Sequence, residues 1–298
     1  MKHPLKSVTW LRENIENSKL IILDVSSSKQ NIVIPRAKYF DLSNKFSDTS
    51  SSFPNTFPLV EQFESESRNL GINSTSQIII YDSKGIYFSP RVWWMYKTMG
   101  HENVFVLNGG LPEWINHDFE TDSEYSTLNN HGTFKAILHS TKLYSYKDII
   151  RNINTKKFQL IDARSEGRFS GKSPEPREGL KSGNIPNSIN LPYERLLSNG
   201  KYKSKKEIEL IFNTTFKSNK PLVFSCGSGV TACIVLLASE MILDNETGVY
   251  DGSWTEYASL TKTFIKKVEL IKRIINRQTT SCSNGSPFHF SRYPFWHY

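Results

Sequence analysis

Short apolar runs rich in β-branched residues alternate along the chain with longer stretches that place apolar residues at helical spacing. The runs that predict strands are Leu20–Val25, Gln77–Asp82, Val104–Leu107, Phe158–Ala163, Pro221–Ser225 and Gly248–Tyr250. The stretches that predict helices are Val8–Ile15, Leu59–Leu70, Pro90–Met99, Tyr146–Ile153, Lys205–Phe212 and Val230–Met241. Strands that alternate with helices are typical of parallel sheets, so the pattern predicts an α/β fold.

The order of strands and helices in the first half recurs in the second, and the two halves also match at their turns. The segment Ile79–Gly85 aligns with Val223–Gly229, so Asp82 takes the place in the first half that Cys226 takes in the second. Only the second half therefore has a nucleophilic side chain at this position.

A polar, turn-rich stretch at residues 117–141 separates the halves and predicts a linker. The full chain of 298 residues is long enough for two domains of ordinary size, about 100–150 residues each. We therefore expect a first, non-catalytic domain at residues 1–130 and a second, catalytic domain at residues 131–260. Residues 261–298 form a basic and aromatic tail beyond the repeat.

Composition and charge exclude several classes of function. The net charge is +8, but the lysines are spread along the chain and not interleaved with aromatic residues, so we expect no nucleic-acid partner. No apolar run approaches the roughly 18 residues of a membrane span, so we expect no membrane association. The three cysteines, Cys226, Cys233 and Cys282, form no C-x-x-C pair, and we expect neither a disulfide framework nor a metal site. A reducing compartment fits this pattern, and the cytoplasm is the first choice, with the mitochondrion second.

Cys226 has the surroundings of a reactive thiol. It follows a buried strand and precedes Gly227 and Gly229, and the next helix begins near Val230. A junction of strand, glycine loop and helix gathers unpaired N–H groups and the positive end of the helix dipole around one point. We expect the backbone of Gly227, Gly229, Val230 and Thr231 to form a cradle that favours a thiolate or a persulfide anion.

Two other interpretations of the cysteines are weaker. Cysteine-dependent phosphatases also hold a thiolate below a helix, but they need an arginine at the end of the loop, and this chain has Ala232 there. Cys233 lies within an apolar helix and is expected to be a buried core residue.

The loop Cys226–Thr231 resembles the active-site loop of the 3-mercaptopyruvate sulfurtransferases, which belong to the rhodanese superfamily. Thiosulfate-preferring rhodaneses have basic residues in place of Gly227 and Ser228. The resemblance extends from about Val8 to Leu260 and includes Pro90–Trp94, Gly109–Leu111, Glu175–Arg177 and Asp251–Trp254. It implies two tandem rhodanese-like domains, each a small parallel sheet flanked by helices.

The resemblance also implies an activity. Arg168 and Arg177 match the two arginines that bind the carboxylate and carbonyl of the donor, and Cys226 matches the cysteine that becomes a persulfide. Thioredoxin, a small thiol or cyanide would accept the sulfur, and no metal or organic cofactor is implied. Thiosulfate is the alternative donor, and a regulatory or binding role for a weakly active fold is the alternative of another class.

One part of the family pattern is missing. In the family, the serine at Ser228 works with a histidine and an aspartate from the first domain. Spacing predicts Asn55 at the histidine position and Ser43 or Asn44 near the aspartate position, and none of these is a base near neutral pH. The chain has no histidine between His3 and His101, and the acids nearest in sequence are Asp41 and Asp48.

Overall fold

The computed structural model describes residues 3–127 and 131–261, and the first half of the chain folds around a parallel sheet. The strands of this sheet are β1 (Leu5–Lys6), β2 (Leu20–Asp24), β3 (Lys38–Tyr39), β4 (Gln77–Tyr81) and β5 (Val104–Leu107). They pair in the order β1-β5-β4-β2-β3. The helices of this half are α1 (Val8–Asn14), α2 (Val60–Asn69), α3 (Ser89–Thr98) and α4 (Gly110–Asn116).

The second half repeats this topology. Its strands are β6 (Leu143–Tyr144), β7 (Gln159–Asp162), β8 (Ile189–Asn190), β9 (Leu197–Ser198), β10 (Lys201–Tyr202), β11 (Leu222–Ser225) and β12 (Thr247–Tyr250). A parallel sheet has the order β6-β12-β11-β7-β8, and β9 and β10 form an antiparallel hairpin. The helices are α5 (Tyr146–Thr155), α6 (Glu166–Phe169), α7 (Lys205–Thr215) and α8 (Ala232–Glu240), and another helix starts at residue 253. The predicted α/β fold with two matching halves is confirmed.

The sequence pattern missed the short strands at the sheet edges. β1, β3, β6 and β8 contain only two residues each. Two residues cannot show the alternation by which a strand is recognised. These strands form only because the longer strands beside them offer unpaired backbone groups at an open edge.

Helices α3 and α8, which follow the equivalent strands β4 and β11, pack against each other. Every residue of α8 from Ala232 to Ser239 is buried, and a helix that is apolar on all sides must be covered on all sides. In α3, Trp93 and Trp94 are buried in the same core. This packing brings the loops at the starts of the two helices toward one another.

The chain between the sheets stays attached to the first half for longer than its polar sequence suggests. The N–H of Gly132 donates to the carbonyl of Arg68 at 2.8 Å, and the N–H of His139 donates to that of Thr98 at 2.8 Å. The boundary near residue 130 stays a prediction, and these bonds favour a position nearer Ser140.

The predictions for the tail and for a membrane span can be compared with the structure only in part. The predicted tail, apart from residue 261, and Cys282 lie outside the described residues. In the ranges 3–127 and 131–261, every helix is too short or too polar to cross a bilayer.

Candidate active site

Cys226 lies directly after β11, at the carboxyl end of the second sheet, and only 2% of the residue is exposed. A side chain at the start of the helix that follows β12 holds its loop in place. The Oγ of Ser253 accepts hydrogen bonds from the N–H groups of Cys226 and Gly229, both at 3.1 Å, and donates to the carbonyl of Tyr250 at 2.9 Å. Ser253 is fully buried, so the loop conformation depends on a hydroxyl that the sequence pattern did not identify.

Gly229 has a conformational role in this loop. Its φ is +78°, and a Cβ at this position would lie 2.9 Å from the carbonyl oxygen of Asp251, so a larger residue is excluded on both counts. Its N–H donates to Ser253 and is not free to hold the sulfur. In the described part of the chain, the N–H groups of Gly227, Val230 and Thr231 have no hydrogen-bond acceptor. These donors precede α8, where the helix dipole also favours an anion.

The equivalent loop of the first half already holds an anion. The Asp82 carboxylate is fully buried, and its Oδ2 accepts hydrogen bonds from the N–H groups of Tyr87 at 3.0 Å, Phe88 at 2.9 Å and Ser89 at 3.0 Å. The Ser89 hydroxyl adds a fourth bond to this oxygen at 2.8 Å. A strand-to-helix loop of this protein can therefore bind a buried negative charge with backbone donors, which is the task predicted for the loop of Cys226.

A buried carboxylate positions Arg168 beside the Cys226 loop. The Arg168 guanidinium donates to Oε2 of Glu175 at 2.6 Å, while Arg164 donates to Oε1 of Glu175 at 2.7 Å and to Asp162 at 2.6 Å. The Glu175 side chain is 2% exposed and that of Arg168 is 24% exposed. A Cβ at Gly227 would lie 2.9 Å from Nη2 of Arg168, so glycine at this position leaves room for the guanidinium.

Arg177 reaches the same loop by way of a threonine. Its Nη1 donates to Oγ1 of Thr255 at 3.2 Å, and this hydroxyl donates to the carbonyl of Gly227 at 2.6 Å. Among the described residues, no carboxylate forms an ion pair with Arg177. Its charge is therefore available to an anionic ligand.

A cavity of about 380 Å³ lies over Cys226. The predicted residues Cys226, Ser228, Arg168 and Arg177 all line it. Sequence reasoning missed Tyr87 and Tyr193, which also line it, because their distance from Cys226 along the chain carries no spacing signal. The rings of Tyr87 and Tyr193 lie 6.0 Å apart and nearly perpendicular.

Asn55 lies opposite Ser228, as spacing in the sequence predicts. Its Nδ2 donates to Oγ of Ser228 at 3.0 Å. The nearby acids are engaged elsewhere, since Asp41 accepts hydrogen bonds from Asn44, and Asp48 accepts them from Ser50, which lower the pKa of Asp48. The structure gives no hydrogen bond between either carboxylate and Asn55 or Ser228 in the described ranges.

Arg91, another residue that sequence reasoning did not single out, joins the two halves at the site. It is fully buried at the start of α3, and its Nη2 donates to the carbonyl of Asn55 at 2.8 Å and to Oδ1 of Asp251 at 2.6 Å. Burial is the largest influence on the pKa of Arg91 and lowers it, but the surrounding negative groups, with Asp251 first among them, together raise that pKa. The second carboxylate oxygen of Asp251 accepts the N–H of Phe57 at 2.7 Å, so the Asn55 segment is held at both sides.

Cys233 is fully buried in α8, as the sequence predicts. Its Sγ donates to the carbonyl of Gly229 at 3.4 Å. Burial raises the pKa of its thiol to about 12, so Cys233 stays protonated and is a poor nucleophile.

Comparison with protein families identifies both halves. A model of the rhodanese-like domain matches residues 7–117 and again residues 145–260. The two matches follow the repeat in the sequence and the two parallel sheets in the structure.

Comparisons with individual proteins agree with the match to the rhodanese-like domain. The chain is 39% identical over 228 residues to the 3-mercaptopyruvate sulfurtransferase of Mus musculus, covering 75% of this chain and 76% of that protein. It is 36% identical over 272 residues to the thiosulfate sulfurtransferase of Rattus norvegicus, covering 85% of this chain and 91% of that protein. The crystal structure of the 3-mercaptopyruvate sulfurtransferase SseA from Escherichia coli superposes with a TM-score of 0.76 at 32% identity, covering 85% of this chain and 99% of that one.

Proposed function

The chain belongs to the rhodanese family and is a sulfurtransferase, and from this premise we propose that it takes sulfur from 3-mercaptopyruvate and holds it as a persulfide on Cys226. The observation that carries the proposal is the charge around Cys226. Arg168 and Arg177 line the cavity over the sulfur, while the loop Gly227–Thr231 has no charged side chain.

The pattern of ion pairs favours a donor with one negative charge. Glu175 and Asp162 compensate Arg164 and Arg168, and Arg177 has no carboxylate partner in the described chain. The carboxylate of mercaptopyruvate is a planar monoanion, and a guanidinium matches it with paired hydrogen bonds. Thiosulfate is a dianion and would lack a second uncompensated cation.

The chemistry assigns a separate task to each group. The Cys226 thiolate attacks the sulfur of the donor, the carbon–sulfur bond breaks, and its electron pair moves to carbon as the enolate of pyruvate. The enolate takes up a proton and leaves as pyruvate, and the transferred sulfur stays on Cys226. The unpaired N–H groups of Gly227, Val230 and Thr231 stabilise the persulfide anion.

Thiosulfate remains the second candidate donor. The similarity to a thiosulfate sulfurtransferase, 36% over 91% of that protein, is close to the similarity to the mercaptopyruvate enzymes. Overall identity therefore does not select the donor, and the neutral Gly227 and Ser228 are the features that favour mercaptopyruvate.

The acceptor in this proposal is a thiol, either thioredoxin or a small molecule, with cyanide as a laboratory substitute. Cys226 and Cys233 are both free thiols in the described residues, and this supports a reducing compartment such as the cytoplasm.

Intact mass measurement tests the proposal. The protein is incubated with mercaptopyruvate or with thiosulfate and then desalted. Its intact mass is measured by mass spectrometry before and after addition of cyanide. We expect mercaptopyruvate to add one sulfur atom that cyanide removes, with Cys226→Ser as the control that gains none. Loading by thiosulfate alone would assign the other donor, and no loading by either would overturn the persulfide.

A further inference from the structure

The loop that carries Asp82 extends from the first half into the cavity over Cys226. Tyr87 of this loop lines the cavity together with Cys226 and Arg168. Its N–H donates to Oδ2 of Asp82 at 3.0 Å, so the buried carboxylate fixes the backbone that presents the side chain. The first half has no cysteine here, but its loop still contributes a residue to the site.

Three neighbouring side chains lie close to the Tyr87 ring. The ring of Phe88 lies 4.7 Å away, the ring of Tyr193 lies 6.0 Å away, and Nζ of Lys84 lies 4.4 Å from the centre of the Tyr87 ring. The Tyr87 hydroxyl makes no hydrogen bond to any residue of the described chain. A fixed phenol with an uncommitted hydroxyl therefore borders the space where the donor binds.

The proposed reaction requires a proton at this place. Cleavage of the carbon–sulfur bond leaves the enolate of pyruvate, which is released only after protonation. Asn55 has no proton to transfer, and the Ser228 hydroxyl that it contacts has no titratable partner among the described residues. The proton must come from water or from another side chain of the cavity.

We propose that Tyr87 is the general acid that protonates the pyruvate enolate. The O–H bond of Tyr87 breaks as a C–H bond forms at the enolate carbon, which gives pyruvate and a phenolate. The newly formed persulfide carries an acidic S–H, and loss of this proton through solvent restores the phenol and leaves the persulfide anion. No oxidant or reductant takes part. This inference rests on the proposed use of mercaptopyruvate as donor.

The electrostatic surroundings keep the phenol protonated. Burial raises the pKa of Tyr87, and the negative charge of a Cys226 thiolate raises it further, while Arg168 lowers it. Glu194 and Asp82 are the other charged groups that raise it, and Lys84 and Tyr193 contact the ring. The phenol therefore keeps its proton at pH values at which an unshifted tyrosine would begin to lose it.

Tyr193 is the rival phenol of the cavity, and its surroundings differ. Burial raises the pKa of Tyr193 to about 12, and the next largest cause is the Glu194 carboxylate, which also interacts with its hydroxyl. The hydroxyl of Tyr193 interacts with Glu194, whereas the hydroxyl of Tyr87 has no hydrogen-bond partner in the described chain. The geometry therefore favours Tyr87.

The test separates the two half-reactions of the enzyme. In Tyr87→Phe, the ring contacts remain and only the hydroxyl is lost. In a single turnover, we expect pyruvate release from mercaptopyruvate to slow by about 10²-fold, which is the lower end of the contribution of a general acid. Transfer of sulfur from the loaded persulfide to cyanide involves no enolate and should keep the wild-type rate. The matched control is Tyr144→Phe, another partly buried phenol outside this cavity.

A pH profile adds a second readout. Pyruvate release by the wild type should fall at high pH as the phenol loses its proton, and Tyr87→Phe should lack this decline. Equal slowing of both half-reactions, a loss confined to Tyr193→Phe, or an unchanged rate in Tyr87→Phe would each overturn the inference. If mercaptopyruvate were not the donor, the result would differ from each of these outcomes, because even the wild type would form no persulfide from mercaptopyruvate.

Discussion

Nδ2 of Asn55 donates a hydrogen bond to Oγ of Ser228 at 3.0 Å, across the junction between the two halves of the protein. The Ser228 oxygen is thus an acceptor on the side of Asn55, and its own hydrogen is free to point toward the cavity. The amide of Asn55 does not gain or lose a proton near neutral pH. Asn55 therefore orients the Ser228 hydroxyl without relaying a proton to it. Proton transfer must therefore be assigned to a different group.

The two described cysteines should differ in their response to substitution. We expect Cys226→Ser to abolish sulfur transfer, because the alcohol is not ionised by the loop that favours a thiolate. We expect Cys233→Ser to retain most of the activity, since Cys233 is buried and protonated, and its Sγ donates to the carbonyl of Gly229. Thiocyanate formation measures both rates. Equal loss in two folded variants would show that Cys226 is not the sole carrier.

Substitution of either cavity arginine by lysine tests recognition of the donor. Arg168→Lys or Arg177→Lys keeps the charge but removes the planar pair of donors. We expect kcat/KM for mercaptopyruvate to fall by about 10- to 100-fold, because a hydrogen bond to a charged group contributes about 1.5–3 kcal/mol. The decrease in kcat/KM for thiosulfate should be smaller. Arg151→Lys, on the exposed face of α5, is the control, and an equal loss for both donors would remove carboxylate recognition from these residues.

Substitution of Glu175 should lower both the stability of the protein and its binding of mercaptopyruvate. Its buried carboxylate lies between Arg164 and Arg168, so Glu175→Gln leaves two guanidinium groups with less compensation. We expect the free energy of unfolding to fall by about 3 kcal/mol, as when one partner of a buried ion pair is removed. We also expect the KM for mercaptopyruvate to rise, because Arg168 loses the carboxylate that positions it.

Urea denaturation and steady-state kinetics measure these two effects. Glu178→Gln, at an exposed position three residues along the same segment, provides the control. If the two variants were equally stable and equally active, the bridge would have no role in positioning Arg168.

The sequence predicted the parts of the molecule that depend on local pattern. The longer strands and helices follow apolar periodicity, and the equivalence of Asp82 and Cys226 follows from the repeat. The motif that contains Glu175 and Arg177 was visible too, but the bridge from Glu175 to Arg168 was not, because a sequence shows which residues are charged and not which ones meet.

The remaining site residues come from distant parts of the chain. Tyr87 and Arg91 reach the loop of Cys226 only because α3 packs on α8, and Ser253 reaches it from the start of the helix after β12. No spacing rule links these positions to Cys226. Their roles depend on how two domains pack, and a single sequence does not carry that information.

The missing histidine leads to the last prediction. Asn55 has a φ of 58°, a conformation that histidine also tolerates, so Asn55→His can place an imidazole beside Ser228 without a change of backbone. We expect the unmodified protein to turn over mercaptopyruvate slowly and the variant to be faster, since an imidazole can pass a proton through Ser228 and Asn55 cannot. An aspartate introduced at Ser43 or Asn44 is the natural second change, to orient the new ring. Asn55→Ala, which removes the hydrogen bond and adds no base, is the control and should show no gain.

The same variant also tests the role of Tyr87. A histidine at position 55 and the phenol of Tyr87 would supply the same proton, so their effects should not be additive. We expect Asn55→His to raise the rate of pyruvate release more in the Tyr87→Phe background than in the wild type. Persulfide transfer to cyanide should be unchanged in all four proteins, because the thiolate depends on the loop and on the start of α8. If Asn55→His gave no gain in either background and Tyr87→Phe released pyruvate as fast as the wild type, a group other than Tyr87 or residue 55 would be the source of the proton.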